Sequence, residues 1–428
     1  MKGSLFRAMW RWHFWSSLLI TPVFLIACVT GMLLVFEHEI SDWLDRDMTR
    51  VEVTAGKLEI PESLRSAHVS MLSGFPGYRI QFINVSDEVT DAWHGILMPL
   101  EGEGPKFDVY FDPFADTLLG HRDRTRGFFP VMLRLHRNLF SGTPGRVIVE
   151  TATCWGIVSV LTGVYLWWPR KRERLWGVWL PRFRGSTRVL LRDWHTVPGL
   201  LFTPFALLLL VSGLLFSPVW GTAYLVGNAV TEGLPDFYLS PPQNKTSLGE
   251  GESGVDAGAV FERAQQYFDF AESGFSMEVP DPTTSNAWQV ASIPASPFEP
   301  RAMAFVDGSD AEVLLHVGGA DLPLRTHLTL LFYPVHVGTL FGAPTQWLAF
   351  VTSLILSIST ITGVWMWLRR KPSGSWGAPR SLPDRVHPRW LVGLMITLGV
   401  VFPTVGASML LIWGWEAIRN RFRSEDLS

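Results

Sequence analysis

Two stretches of this chain repeat each other, and each repeat carries histidines. The text that follows His136 recurs after His336, at an offset of 200 positions, and the text around His13 recurs around His195, at an offset of 182 positions. The residues shared by the repeats include Gly142 and Gly342, Pro144 and Pro344, Thr162 and Thr362, Gly163 and Gly363, Trp12 and Trp194, Thr21 and Thr203, Pro22 and Pro204, and Gly31 and Gly213. Four of the 11 histidines are therefore singled out as two matched pairs.

Long apolar runs predict a membrane protein. At about 1.5 Å per residue, a helix of some 20 residues crosses the roughly 30 Å hydrocarbon core of a bilayer. The 20 Trp and 28 Phe residues agree with a lipid environment, because Trp concentrates at membrane interfaces. The net charge of −3 gives no case for a nucleic-acid partner. The expected spans lie within 1–38 and at 147–168, 197–220, 347–368 and 390–414.

The segments between the spans predict the orientation. They cover 39–146, 169–196, 221–346 and 369–389, and a tail at 415–428 follows the last span. Residues 170–192 hold eight Lys and Arg, and 369–389 hold six. The positive-inside rule places these two short loops and the N-terminus in the cytoplasm. We therefore expect a polytopic α-helical protein with five spans, namely a duplicated two-span unit plus one, and with two long segments on the outer side.

Each long segment is expected to form a small α+β module. The 221–346 segment is acidic, with fifteen Asp and Glu against four Lys and Arg. Alternating apolar residues around an Asp-rich turn predict a hairpin in each module, near 107–120 and near 302–315. A helical pattern at 257–271 precedes the second hairpin, and 240–258 is expected to be a flexible lead-in.

The cysteines give no sign of a metal cluster. Cys28 and Cys154 both lie inside expected spans, and the chain has no C-x-x-C-H motif for covalent haem attachment. The text at 25–28 resembles a lipoprotein cleavage box, but the apolar run continues to Phe36, so we expect an uncleaved first span.

The matched histidines suggest two haem sites. In the expected topology His13 and His195 lie at cytoplasmic ends of spans and form an inner pair, whereas His136 and His336 form an outer pair. Two imidazoles cannot complete a zinc site, which needs four ligands, but they complete an iron that already has four porphyrin nitrogens. Without a covalent attachment motif the expected cofactor is haem b, one at each pair. A six-coordinate iron suits electron transfer.

Other residues are weaker candidates. His38 is an alternative outer ligand, His387 is a possible third inner residue, and His327 lies near His336 in the sequence. Each histidine also has a plain interpretation as a hydrated boundary residue. Glycines at matched places in the spans are expected to let a porphyrin approach the helix backbones: Gly31, Gly213, Gly163 and Gly363. Arginines beside the histidines would anchor lipid headgroups or pair with haem propionates: Arg11, Arg134, Arg137 and Arg192.

Five texts, in this order along the chain, resemble the PepSY-associated transmembrane family of bacterial inner-membrane proteins. They are W-H-x-x-x-x-L-L, L-H-R-N-L-F, T-G-V-Y-L-W-W-P-R-K, R-D-W-H-T-V-P-G-L-L and Y-P-V-H-V-G-T-L-F-G. The resemblance extends to about Lys371, and it implies that the two outer segments are PepSY modules. It also implies iron regulation and members that act as di-haem reductases of ferric siderophores on the periplasmic side. On this resemblance His13, His136, His195 and His336 occupy the histidine positions of the family.

The expected function is that of a transmembrane ferric-chelate reductase in the bacterial inner membrane. Electrons would pass from a cytoplasmic reductase or a quinol, through the inner and outer haems, to a ferric siderophore, whose reduced iron is held less tightly by hard oxygen ligands. No G-x-G-x-x-G motif follows a strand, so any nucleotide chemistry must come from a partner. Two alternatives stay open: a reductase of another periplasmic acceptor, and a non-redox protein whose PepSY modules bind a partner while the spans anchor or transport.

Overall fold

The computed structural model describes residues 2–53, 58–168, 175–245, 254–299, 301–379 and 389–425. Parts of the expected basic loops and of the expected lead-in lie outside the described residues, at 169–174, 380–388 and 246–253. The chain divides into two units. The membrane unit comprises Met1–Val35, Met132–Val226 and Phe332–Ser428, and the sheet unit comprises Phe36–Val131 and Gly227–Leu331.

Helices and strands follow one another in this order. The helices are α1 (Lys2–Leu34), α2 (Glu37–Leu44), α3 (Arg46–Thr49), α4 (Ile60–Ser73), α5 (Phe128–Asn138), α6 (Gly142–Trp167), α7 (Thr187–Leu201), α8 (Thr203–Leu214), α9 (Trp220–Val230), α10 (Ala257–Ala264), α11 (Phe270–Ser273), α12 (Leu324–Leu330), α13 (Phe332–Val337), α14 (Ala343–Arg370), α15 (Arg389–Val401) and α16 (Pro403–Glu425). The strands are β1 (Tyr78–Val85), β2 (Trp93–Pro99), β3 (Phe107–Asp112), β4 (Thr117–Asp123), β5 (Phe275–Glu278), β6 (Trp288–Ser292), β7 (Met303–Val306) and β8 (Val313–Val317). Short 3-10 helices cover Asp236–Tyr238 and Gly319–Asp321.

Several helices are able to cross a membrane. In the described part of the chain, α1, α6 and α14 are each long and apolar enough to do so, and α7 and α8 qualify only as a pair. The chain bends by 67° between α7 and α8. Pro198 inside α7 and Pro204 in the first turn of α8 explain the bend, because proline lacks an amide donor and crowds the preceding turn. The third expected span is therefore a broken pair that begins at Thr187, not one straight helix over 197–220.

The four spanning elements pack side by side in the membrane unit. α1 contacts α6 and α14, and α8 contacts the same two helices, so the elements close a ring. Apolar side chains remain exposed on these helices, for example Leu19 at 66%, Leu208 at 56% and Ile361 at 48%. Exposed apolar bands of this extent on long helices are what a lipid environment covers.

The fifth expected span, 390–414, is not one helix. A Cβ atom placed on Gly406 would lie 2.9 Å from the Cα atom of Gly399. Residues seven apart in a continuous helix lie about 10 Å apart, so the chain reverses between α15 and α16. Its apolar arms, Val392–Val401 and Pro403–Gly414, are each too short to cross. The segment forms a hairpin instead.

Local chemistry explains this hairpin. Pro403 has no amide proton for a helical bond, and the two glycines let the arms touch. Phe402 and Val405, at the reversal, are buried against Cys154 of α6 and Leu214 of α8. The indole Nε1 of Trp155 donates to the hydroxyl of Ser408 at 3.1 Å. The reversal therefore packs against the middle of the bundle.

The sheet unit contains one sheet rather than two. Its described residues form an eight-stranded antiparallel sheet in the order β4-β3-β2-β1-β5-β6-β7-β8. The strands β1 and β5 pair at the centre, with Phe82 opposite Glu278, so each expected module contributes one half. Helices α4 and α10 pack together and share one core with both halves. The expected hairpins are β3–β4 and β7–β8. That each half is a PepSY module remains a prediction.

A buried ion cluster ties three strands of this sheet together. Asp108, on β3, is 3% exposed. The Nε2 atom of His94, on β2, lies 2.7 Å from its carboxylate, and Arg122 and Arg124 donate to it at 3.1 and 3.0 Å. Burial opposes ionisation, but the hydrogen bond and charge of His94 and the charges of Arg124 and Arg122 outweigh it. The pKa of Asp108 therefore lies below its usual value.

Candidate functional site

The four matched histidines meet in two pairs inside the membrane unit. His13, on α1, faces His195, on α7, with 6.2 Å between ring centroids and 70° between ring planes. His136, on α5, faces His336, on α13, with 6.1 Å and 48°. The two pairs are the ones that the duplication predicts.

Short helices and tight turns carry the outer pair. After α5, Leu139 and Phe140 have φ of 52° and 57°, and after α13, Gly338 has φ of 83°. These left-handed residues reverse the chain at once into the next spanning helix. A Cβ atom on Gly145 would lie 1.8 Å from the carbonyl oxygen of Asn138, so the start of α6 lies directly on the end of α5.

Every Nδ1 atom of the four histidines points at a backbone carbonyl of a neighbouring helix. A carbonyl oxygen only accepts hydrogen bonds, so each Nδ1 carries the proton. Each Nε2 then keeps a free lone pair, which is the form of imidazole that binds metals. The four bonds join His13 to Ser159 at 2.9 Å, His195 to Ser359 at 2.7 Å, His136 to Ala27 at 3.0 Å and His336 to Leu209 at 3.0 Å.

The separation of the rings fits one metal ion between two imidazoles. Each imidazole contributes a bond of about 2 Å from metal to nitrogen plus about 1.1 Å from nitrogen to ring centroid. Two imidazoles on opposite sides of the metal therefore have their ring centroids about 6 Å apart. Simple aromatic packing also occurs at about 4.5–7 Å. All four histidines share the same Nδ1 bond to a backbone carbonyl, an arrangement that is typical of histidines that bind metals.

The donor set favours haem over a bare metal ion. Among the described residues, no group of three or more His, Cys, Asp or Glu side chains is arranged to hold a metal. A structural zinc ion needs four protein ligands, whereas haem iron takes four nitrogens from its macrocycle and needs only axial ligands from the protein. Two imidazoles per site therefore fit haem.

A large cavity surrounds the inner pair. It has a volume of about 1090 Å³, and its lining includes both His13 and His195. Its walls are mainly apolar, with Phe14, Phe24 and Leu356 among them. Ligand sites generally have volumes of about 300–1,000 Å³ and mainly apolar walls, so this cavity suits a wide apolar ring.

Four arginines also line the cavity, namely Arg188, Arg192, Arg369 and Arg370. None of the described residues in the lining is acidic. Such a lining suits a ligand with carboxylates, which arginine binds well. Arg192 also pairs with the buried Asp193 at 2.7 Å. Arg11 instead donates to the carbonyl oxygen of Pro379 at 2.7 Å, and Arg134 lies over the ring of Phe140 at 5.1 Å. Arg137 is exposed.

The weaker candidates His38 and His327 are not part of either ring pair. His38 is exposed on α2 and lies 3.5 Å from Asp42, one helical turn away. His327, on α12, is half-buried. Both belong to the sheet unit. His387 lies outside the described residues.

The matched glycines make room for the histidines themselves, whereas the sequence suggested room for a porphyrin. A Cβ atom on Gly213 would lie 2.7 Å from the Cε1 atom of His336, and one on Gly31 would lie 3.0 Å from that of His136. Carbon atoms ordinarily approach to about 3.5–4.0 Å, so any other residue would displace the ring. The same contact recurs at Gly163 with His13 at 3.2 Å and at Gly363 with His195 at 3.1 Å.

A buried aspartate near the inner pair was not anticipated from the sequence. Asp193 precedes His195 by two positions and is fully buried. Arg182 donates to both of its carboxylate oxygens, at 2.6 and 3.0 Å. This pair ties Arg182 to α7, and Arg192 of the same helix donates to the carbonyl oxygen of Gly177, which lines the inner cavity, at 3.4 Å. The sequence gives only a weak signal for Asp193, because the corresponding position in the first repeat is Arg11.

The chain matches the model of a known protein family. The family model for the PepSY-associated TM region matches residues 10–370, which is most of the 428-residue chain and includes both histidine pairs. None of the curated proteins matches the chain. The chain is therefore a membrane protein that belongs to the PepSY-associated TM region family.

Proposed function

We propose that this protein is an inner-membrane electron-transfer protein with two haem b groups, which reduces a periplasmic acceptor. The observation that carries the proposal is the fourfold repeat of one arrangement: a histidine whose Nδ1 donates to a carbonyl, in a pair with centroids about 6 Å apart. His13 and His195 would hold the inner group, and His136 and His336 the outer one.

The residues around the pairs have separate tasks. The carbonyls of Ser159, Ser359, Ala27 and Leu209 keep each Nε2 unprotonated and fix the ring orientation. The apolar walls of the inner cavity exclude water, and its arginines bind carboxylates of the bound group. When bound, haem b supplies one-electron chemistry between ferric and ferrous iron.

Two such groups would connect the two sides of the membrane. On α1, the residues that contact His136 are Ala27, Thr30 and Gly31. They lie about 16 residues from His13, which corresponds to about 24 Å along the helix. A donor on the cytoplasmic side, or a quinol in the membrane, would supply the electrons. One electron reduces one ferric ion, and a quinol that gives two electrons and releases two protons would reduce two ferric ions.

The proposed acceptor is a ferric siderophore, which the family resemblance favours. Hard oxygen ligands hold ferrous iron less tightly than ferric iron, so reduction would release the metal. The alternative acceptors would differ only at the outer side, because the two haem sites would serve them equally.

Alanine variants of the four histidines test the haem sites. We expect His13→Ala and His195→Ala to lose the inner haem, and His136→Ala and His336→Ala to lose the outer haem, which leaves about one haem per chain in each. Pyridine haemochrome spectra of the purified proteins measure this content. His38→Ala and His327→Ala are matched controls and should keep both haems. Full haem content in all four pair variants would contradict the assignment.

An activity measurement tests the direction of electron flow. In inside-out and right-side-out vesicles that contain the protein, ferrous iron released from a ferric hydroxamate should appear only on the periplasmic face. We expect His136→Ala to abolish this release and His38→Ala to leave it unchanged. Release of ferrous iron on the cytoplasmic face would contradict the proposed function.

A further inference from the structure

A dipeptide step, a hydroxyl residue followed by glycine, recurs beside all four histidines. Each of the glycines that receive an imidazole is preceded directly by a hydroxyl residue, and the four steps are Thr30-Gly31, Ser212-Gly213, Thr162-Gly163 and Thr362-Gly363. The carbonyl that accepts from Nδ1 lies three residues before the hydroxyl in every case, at Ala27, Leu209, Ser159 and Ser359. One helical turn therefore presents a carbonyl, a hydroxyl and an open backbone to each ring.

Three of these hydroxyls lie near the same Nδ1 atom as the carbonyl. The distance is 3.1 Å from Thr30 to His136, 3.3 Å from Thr162 to His13 and 3.4 Å from Ser212 to His336. At the fourth step, the carbonyl of Ser359 forms the shortest of the four carbonyl bonds. The hydroxyl of Thr362 donates to the carbonyl of Ile358 at 2.7 Å.

The hydrogen-bond roles of these hydroxyls follow from their other partners. Thr30 donates its own proton to the carbonyl of Ile26 at 2.6 Å, and Thr162 donates to that of Val158 at 2.7 Å. Ser212 donates to the carbonyl of Leu209 at 3.1 Å. Each hydroxyl oxygen is thus left with lone pairs toward the histidine, whose Nδ1 proton it accepts beside the carbonyl.

We propose that Thr30, Ser212 and Thr162 are positioning residues, which fix the imidazole planes and tune the bound haem iron through the Nδ1 proton. This rests on the proposed haem function. A hydrogen-bond acceptor at the Nδ1 proton of a metal-bound imidazole makes that imidazole donate more electron density to the metal and restricts its rotation. A stronger donor favours ferric over ferrous iron, so loss of the hydroxyl should raise the midpoint potential.

The arrangement also predicts which haem each variant affects. Both histidines of the outer pair have a hydroxyl beside Nδ1, whereas in the inner pair Thr162 lies beside His13. Removal of Thr30 or Ser212 should therefore shift the outer haem alone, and removal of Thr162 should shift the inner haem alone. The double variant of Thr30 and Ser212 should shift the outer haem more than either single variant.

Redox titration and electron paramagnetic resonance of the purified full-length protein test the proposal. The variants are Thr30→Val, Ser212→Ala and Thr162→Val, which remove the hydroxyl with little change of volume. The control is Thr151→Val, on α6, whose hydroxyl donates to the carbonyl of Val147 at 2.8 Å. We expect two haems in every variant, a raised potential and altered ferric g values for one haem in the first three, and no shift in the control.

A conservative variant separates positioning from packing. Thr30→Ser keeps the hydroxyl and should restore the wild-type potential, even if Thr30→Val binds haem more weakly. Unchanged potentials and g values in Thr30→Val and Ser212→Ala, with both haems present, would overturn the positioning role and leave the haem proposal standing. Wild-type protein without haem would overturn the proposed function itself.

Discussion

The Nδ1 atom of His195 donates to the carbonyl oxygen of Ser359 over 2.7 Å. In the other half of the molecule His13 makes the same bond to Ser159, which is the repeat partner of Ser359. The outer carbonyls come from Ala27 and Leu209, which are also repeat partners although their side chains differ. The duplication thus preserved the support of each imidazole as well as the imidazole itself, and it did so through the backbone.

Gly213→Ala should expel the outer haem. The added Cβ would lie 2.7 Å from Cε1 and 3.1 Å from Nδ1 of His336, inside ordinary contact distance. We expect the imidazole to be displaced and the haem content to fall from about two to about one per chain. Gly393→Ala, on α15, is the control, because nothing lies within 4 Å of its Cβ position. Equal haem content in the two variants would refute the tight packing of His336.

Cysteine labelling should place the sheet unit outside the cytoplasm. Ser240 and Ser186 are both exposed, and the native Cys28 and Cys154 are buried. We expect Ser240→Cys to react with a membrane-impermeant maleimide in intact spheroplasts, and Ser186→Cys to react only after lysis. The cysteines of the wild-type protein serve as the background. Reversed labelling would direct electron flow toward the cytoplasm and exclude a periplasmic acceptor.

The hairpin of α15 and α16 predicts that its two ends emerge on one side of the membrane. The chain reverses near Phe402, where Gly399 and Gly406 touch, so the end of α16 returns toward the start of α15. We expect Ser424→Cys to label together with Ser186→Cys, only after lysis. Labelling together with Ser240→Cys would show that this segment crosses the membrane after all.

Asp108→Asn should weaken the sheet unit in a pH-dependent manner. The pKa of Asp108 is depressed, so its charge stabilises the fold above its unfolded pKa of about 3.9, and this stabilisation is lost as pH falls through the lower folded value. We expect a loss of about 1–3 kcal/mol at pH 7, because Arg122 and Arg124 lose a charged partner.

Hydrogen exchange of peptides from β2 to β4 in the full chain measures this effect. Exchange should be faster in Asp108→Asn than in wild-type protein at pH 7, and the difference should shrink below pH 4. Asp87→Asn, at an exposed position, should match the wild type at both pH values. A pH-independent difference would show that the charge of Asp108 does not stabilise the unit.

Hydropathy could predict most of the membrane fold, because long apolar helices carry their own signal. The breaks could not be predicted in this way. Thr21-Pro22 and Thr203-Pro204 are the same text, yet Pro22 lies inside the continuous α1, whereas Pro204 follows a 67° bend. Pro198 on the other side of the bend has no counterpart in α1, and only the combination breaks the helix. The union of the two modules into one sheet depends on pairing of β1 with β5, which no local pattern encodes.

The histidine pairs could be predicted because the histidines themselves are duplicated. The carbonyls that accept from these histidines could not be predicted, because every residue type has a backbone carbonyl, as Ala27 and Leu209 show. The hydroxyl-glycine steps are visible in the sequence, but only the contacts explain why a hydroxyl residue precedes each glycine. Asp193 was missed because its repeat partner is an arginine.

The haem content of the purified wild-type protein tests the central claim most directly. A pyridine haemochrome assay on protein of known concentration, with a spectrum of the oxidised and reduced forms, gives both the type and the number of haems. The account predicts two haem b groups per chain, each six-coordinate and low-spin, because each has two imidazole ligands. Protein that inserts and folds in the presence of ample haem but contains none would contradict it.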